Sequence, residues 1–243
     1  MSDIFTTAAL VSLLTLTFLE IVLGIDNIIF ISIVAGKLPK AQQKRTRTIG
    51  LLLALIMRIG LLAGISWLAS AESALFTLPL GFLSQEASEI SIRDLILFIG
   101  GLFLMTKSTT EIHSKIEGEK EKAVKKSKPL TINSAIIQIV LLDIVFSFDS
   151  ILTAVGLTQH LEIMIAAVVI AMLVMLIFSE KVSNFVNNHP TVKMLALSFL
   201  LMIGMLLVLD AFQVDVPKGY VYFSIVFSLF VEMLNLRMRK KAQ

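Results

Sequence analysis

Seven apolar stretches, at 6–35, 48–70, 92–112, 130–157, 161–182, 193–212 and 219–236, constrain this chain more than any other feature. Crossing a bilayer core takes about 20 apolar residues in a helix. Lipid offers no partner to a backbone N–H or C=O, so each stretch has to satisfy its own backbone as a helix. With 56% hydrophobic and 16% charged residues and a mean hydropathy of +0.89, the chain has little left for a water-soluble core. The longest connections, 71–91 and 113–129, are too short to bury one of their own. The expected fold is all-α, a polytopic membrane protein with about seven transmembrane helices in a single membrane domain.

Position gives the net charge of +3 its meaning. Lys37, Lys40, Lys44, Arg45 and Arg47 follow the first stretch, the lysines of 115–128 follow the third, Lys181 and Lys193 flank the turn after the fifth, and the basic tail 237–241 follows the seventh. These are alternate loops and hence one face. The opposite face carries Arg93 and Lys218 among eight acids, Asp3, Glu72, Glu86, Glu89, Asp94, Glu162, Asp210 and Asp215. The positive-inside rule then puts the N-terminus outside and the C-terminus in the cytoplasm. Trp67, Tyr220 and Tyr222 fall at the outer boundary, where amphipathic rings settle. This basic balance reads as topology, not as a nucleic-acid surface. The first stretch lacks a cationic leader and is too long for a signal-peptide core, so it is expected to stay in the mature protein.

Two of the stretches carry the same motif. Glu20-Ile-Val-Leu-Gly24-Ile-Asp26-Asn27-Ile28 in the first matches Asp143-Ile-Val-Phe-Ser147-Phe-Asp149-Ser150-Ile151 in the fourth. The third and sixth echo each other more faintly, in Leu102-Phe-Leu-Met105 and Phe199-Leu-Leu-Met202. Units of three helices are the implied repeat: 1–112, then a charged cytoplasmic linker at 113–129, then 130–212, with 213–243 as a seventh helix and basic tail outside the repeat. An odd number of spans makes the second unit enter the membrane from the other side, the inverted architecture of many secondary transporters.

Glu20, Asp26, Asp143 and Asp149 lie near the middle of their stretches, where an ionised carboxylate costs a few kcal/mol or more unless a cavity, a partner or an ion compensates it. Residues six apart on a straight helix are turned by about 120° and displaced by roughly 9 Å. Convergence of each pair therefore requires a bend, and Gly24 and Ser147 are the expected break points. Carboxylates, the Asn27 amide oxygen, the Ser150 hydroxyl and carbonyls freed at a break form a hard-oxygen donor set suited to manganese, magnesium or calcium. With no cysteine there is no thiolate site. The methionines read as packing residues, and His113, His160 and His189 are too dispersed for a ligand cluster. Arg58 and Lys107 also sit inside stretches and need carboxylate partners. One reading makes them structural ion pairs; a sharper one has Lys107, and after it Arg58, neutralise the acids until a metal displaces the cation.

At these motifs the sequence resembles the TerC family of integral membrane proteins, grouped with the LysE-type transporter superfamily. The resemblance runs from Glu20-Ile-Val-Leu-Gly-Ile-Asp-Asn-Ile-Ile-Phe30 through Gly100-Gly-Leu-Phe-Leu104 and Lys107 to Asp143-Ile-Val-Phe-Ser-Phe-Asp-Ser150. It implies a bacterial inner-membrane manganese exporter in the short form, without an appended soluble domain, with the motif acids as ion ligands. The residues alone reach a hard divalent cation. The leading expectation is a metal transporter working by alternating access, with protons as candidate coupling ions, no resident cofactor, no catalytic residues and an oligomeric state left open. Two other classes are weighed against it. An intramembrane aspartyl protease would use two opposed aspartates, but the Tyr-Asp and Gly-x-Gly-Asp patterns of such enzymes are missing. An accessory membrane subunit would use the acids for helix packing alone.

Overall fold

The computed structural model describes residues 6–64, 74–77, 89–117, 130–158, 160–214 and 216–241. Its helices are α1 (Thr7–Leu23), α2 (Ile25–Ala35), α3 (Lys40–Ala63), α4 (Ile92–Ile116), α5 (Ile132–Leu157), α6 (Leu161–Asn188), α7 (Pro190–Ala211) and α8 (Lys218–Lys241). Two short strands, β1 (Ala74–Thr77) and β2 (Glu89–Ser91), pair antiparallel before α4. Among the described residues, six helical runs are long and apolar enough to cross a membrane, with α1 and α2 counted as one run. The remaining apolar stretch forms α5, whose Ile132–Phe148 is a shorter apolar helix. The protein is an all-α, multi-pass membrane protein, and the strands are a feature that the apolar pattern of 71–91 did not announce.

Local chemistry sets the ends. The Thr6 and Thr131 hydroxyls accept from the N–H groups of Ala9 and Ser134, both at 3.2 Å, and so cap α1 and α5. Ser91 and Asp94 form a reciprocal capping box on α4. Pro190 opens α7, where a missing N–H costs nothing. Helix α4 continues to Ile116, about a turn beyond the stretch expected as its span.

The chain divides into two compact units, each built from separated segments. The first comprises Met1–Ser73 and Pro129–Asn187, and so holds the first, second, fourth and fifth spans. The second comprises Ala74–Lys128 and Asn188–Gln243, with the third, sixth and seventh.

Directions within the first unit follow from its contacts. A Cβ placed on Gly24 would lie 2.5 Å from the Met175 sulfur, and one on Gly36 would lie 2.8 Å from the Asn187 side-chain oxygen. Equal steps along α2 and α6 mean that the two run parallel. Gly50 faces Ile139 at 3.0 Å, and Arg58 bonds to Asp143, so α3 and α5 are parallel as well. The short connection from Gly36 to Pro39 returns α3 against α2. The first and fourth spans therefore run in opposite senses.

In the second unit α4 and α7 are antiparallel. Phe98 meets Phe212 edge to face at 5.7 Å, and Arg93 reaches Asp210 at 3.3 Å. Further along, Gly101 and Gly204 press backbone to backbone: a Cβ on either would come within 3 Å of the other's carbonyl oxygen. Helix α8 packs on α7, with the Thr191 hydroxyl donating to Glu232. The outer faces are apolar. Leu14, Phe18, Ile56, Ile99, Ile177 and Phe223 are all more than 60% exposed, as side chains that meet lipid should be.

Candidate functional site

The first span divides at Gly24, where the backbone takes φ −85° and ψ −7° between α1 and α2. The division is tight. The Gly24 N–H still donates to the Glu20 carbonyl at 2.9 Å, and the Gly24 carbonyl accepts from Ile28 at 3.1 Å. A side chain here would strike Met175, which is fully buried on α6, so the absence of a Cβ is what admits the thioether.

The fourth span differs. The break expected at Ser147 does not form, and α5 is continuous from Ile132 to Leu157. Ser147 satisfies its hydroxyl inside the helix by donating to the Asp143 carboxylate, one turn earlier, at 3.2 Å. Ser147 is fully buried, and the helix runs through it unbroken. Convergence of the two motifs is achieved by placing the helices side by side.

Where they meet, two acids at equivalent motif positions share one cation. Glu20, Asp143 and Arg58 are 3%, 5% and 3% exposed, each near the middle of its span. The Arg58 guanidinium donates through Nη1 to Glu20 Oε2. Its other edge serves Asp143, with Nη2 to Oδ1 at 2.9 Å and Nε to both carboxylate oxygens at 3.2 Å. Asp143 Oδ1 also accepts from Asn27 Nδ2 at 3.0 Å, and Oδ2 from Ser147. Asp143 is thus enclosed by donors from three helices. Among the described residues Glu20 has Arg58 alone.

Such a network is expensive to assemble in a low dielectric, and truncating one member leaves a buried charge unpaired. Two negative groups and one positive group leave one net negative charge among the three. Asn27, held through its nitrogen, keeps its amide oxygen as an acceptor. The Ser150 hydroxyl is buried and donates to the Ser147 carbonyl at 3.3 Å, so its lone pairs remain. The backbone carries Asp26 into the first turn of α2, beside Asn27, and Asp149 onto α5, beside Ser150; the side chains of both aspartates lie outside the described residues. Among the described residues no three His, Asp or Glu side chains stand together as a ready metal cluster. The donors that are brought together, carboxylate, amide and hydroxyl oxygens, fit a hard cation and no soft one.

Lys107 lies on α4 in the second unit, half-buried, with its ammonium 5.8 Å from the Phe103 ring centroid. The sequence ranked it above Arg58 as the compensating cation, and it is Arg58 that bridges Glu20 and Asp143. Two features had no forewarning: the Met175 sulfur at Gly24, and a clamp at the far end of α2, where Arg47 donates to Ser183 at 3.2 Å and Asn187 to Ser183 at 3.3 Å. Glu180 pairs with Lys44 at 3.5 Å across exposed surface, Asp210 with Arg93, and Glu232 with Thr191, so these acids near span ends have protein partners besides water.

Residues 5–243 match the family model described as "Integral membrane protein TerC family". The chain is 54% identical over 227 residues to "UPF0053 inner membrane protein YgdQ" of Escherichia coli strain K12, covering 93% of this chain and 92% of that protein. It is 47% identical over 232 residues to a "UPF0053 protein" of Haemophilus influenzae, covering 96% and 95%. It is also 50% identical over 223 residues to "UPF0053 inner membrane protein YoaE" of Escherichia coli strain K12, where the match covers 92% of this chain but 42% of the relative. No solved structure matches. With the helices described above, these similarities make the chain a multi-pass inner-membrane protein.

Proposed function

This chain belongs to the TerC family of integral membrane proteins, and from that premise we propose that it moves a hard divalent cation, Mn²⁺ first among them, out of the cytoplasm. The observation that carries the reading is the meeting of Glu20 and Asp143, equivalent members of two motifs, on one buried guanidinium in mid-membrane. Charge at that depth is costly, and it serves a protein when an ion has to be received there.

In this reading the ion sits between the first and fourth spans. Glu20, Asp26 and Asn27 offer oxygens from one side, Asp149 and Ser150 from the other, and Asp143 holds the site's shape through Arg58. The two motif spans are the first members of two inverted three-helix repeats, with the N-terminus outside and the C-terminus in the cytoplasm. The opposed senses of the first and fourth spans and of α4 and α7 support the inverted repeats, and the basic loops support the orientation. Alternating access follows from rocking such repeats about a fixed site, and titratable carboxylates make protons candidate coupling ions. No catalytic residue is assigned.

A second reading has one observation in its favour: Arg58 pairs with both acids, as a purely structural network would. Reconstitution in liposomes separates the two. The transport reading expects the protein alone to pass Mn²⁺, in comparison with Ca²⁺, Mg²⁺ and Zn²⁺ and with and without a pH gradient. Vesicles no leakier than protein-free ones under all these conditions would leave the structural reading standing.

A further inference from the structure

Arg58 holds its two carboxylates unequally. Asp143 receives two nitrogens of the guanidinium and is further fixed by Asn27 and Ser147. Glu20 receives one nitrogen and, among the described residues, nothing else. A cation approaching this pair finds Asp143 with its lone pairs already engaged by N–H and O–H donors, whereas at Glu20 a single contact has to open. The planar fork of an arginine permits this division of labour: one edge can stay on its anchor while the opposite nitrogen lets go.

We propose that Arg58 is a tethered counter-ion, anchored by Asp143, that exchanges with the transported divalent cation on the Glu20 carboxylate. The inference rests on the transport reading above and assigns the two equivalent acids different duties, Glu20 to the ion and Asp143 to the arginine. Because the guanidinium is attached to the protein, it competes at high effective concentration. The site's apparent affinity for metal is lowered by the fraction of time that Glu20 is occupied. A bound ion is correspondingly easier to release, since a replacement charge is already in place.

The test is Mn²⁺ binding to the purified full-length chain by isothermal titration, with size-exclusion profile and melting temperature as folding controls. Asp143→Asn deprives Arg58 of its anchor and leaves its whole charge on Glu20, so binding weakens. Arg58→Gln combined with Asp143→Asn removes anchor and counter-ion together and keeps the trio's net charge unchanged. Binding then tightens, by about tenfold if the guanidinium holds Glu20 roughly nine-tenths of the time. Opposite signs for the single and double variants are the signature; a ligand role for Asp143 would weaken both.

Arg58→Lys is the second variant, needed if the double variant does not fold. A compact ammonium cannot span both acids as the fork does, so Mn²⁺ binds more tightly than to the wild type. A folded double variant that binds no more tightly than the wild type would overturn the proposal, as would equal or weaker binding by folded Arg58→Lys. In either case Mn²⁺ binding by the wild type would leave the transport reading intact. A wild type that binds no divalent cation would overturn both.

Discussion

In the first unit, helices from distant parts of the chain meet through a guanidinium between two carboxylates; in the second, they meet through two glycines whose backbones touch. Lipid tails are as apolar as leucine, so neither crossing gains much from a hydrophobic drive. Close packing of small residues is the economical solution. The Gly101–Gly204 contact has no charge and needs no partner. Arg93 and Asp210 pair toward one end of the same crossing, but at the glycines the two spans meet without ionised groups. Buried charge is therefore one of two ways in which this chain joins spans, and the proposed ion site would give the costlier one a use.

The contrast can be broken at either end. The largest effect is expected for Arg58→Leu, which leaves Glu20 and Asp143 buried without their cation. Unfolding in detergent should show a loss of about 3–5 kcal/mol. A loss under about 1 kcal/mol would mean that the acids are compensated elsewhere and that the trio is not the unit's centre. Next comes Gly204→Leu, whose first carbon alone would stand 2.9 Å from the Gly101 carbonyl and from Met105 Cγ. It should cost about 1–3 kcal/mol through overpacking, while Mn²⁺ bound per folded molecule stays at the wild-type value. A change in metal binding without a change in stability would contradict the division into a scaffold contact and a site. The smallest effect belongs to Ser147→Ala. Asp143 keeps Arg58 and Asn27, so thermal unfolding should register about 0.5–1.5 kcal/mol, the worth of one hydrogen bond.

How far these features were legible in the sequence depends on the distance over which each is decided. The helices could be read because lipid allows the backbone almost no alternative, and the motif pair because ionisable residues are rare in such runs. Gly24 was legible as a weak point, since a residue without a Cβ both loosens a helix and admits close neighbours. Ser147 looked equivalent by alignment. Its hydroxyl bonds within its own helix turn, to Asp143, and the helix runs on through it. Arg58 was visible as a buried cation, but its partners lie 38 and 85 positions away in the chain. Placing it between them required knowing that α3 runs parallel to α5. The small β1–β2 pairing and the Arg47–Ser183–Asn187 clamp likewise depend on contacts that no local periodicity records.

The central claim is that the mid-membrane acids are there for a cation, and electron paramagnetic resonance of Mn²⁺ added to the purified protein addresses it most directly. Bound Mn²⁺ with an all-oxygen environment is expected in the wild type, lost in Glu20→Gln while the melting temperature without metal shows the variant still folded. A wild-type spectrum of free aquated Mn²⁺ alone, or full binding retained by Glu20→Gln, would contradict the account.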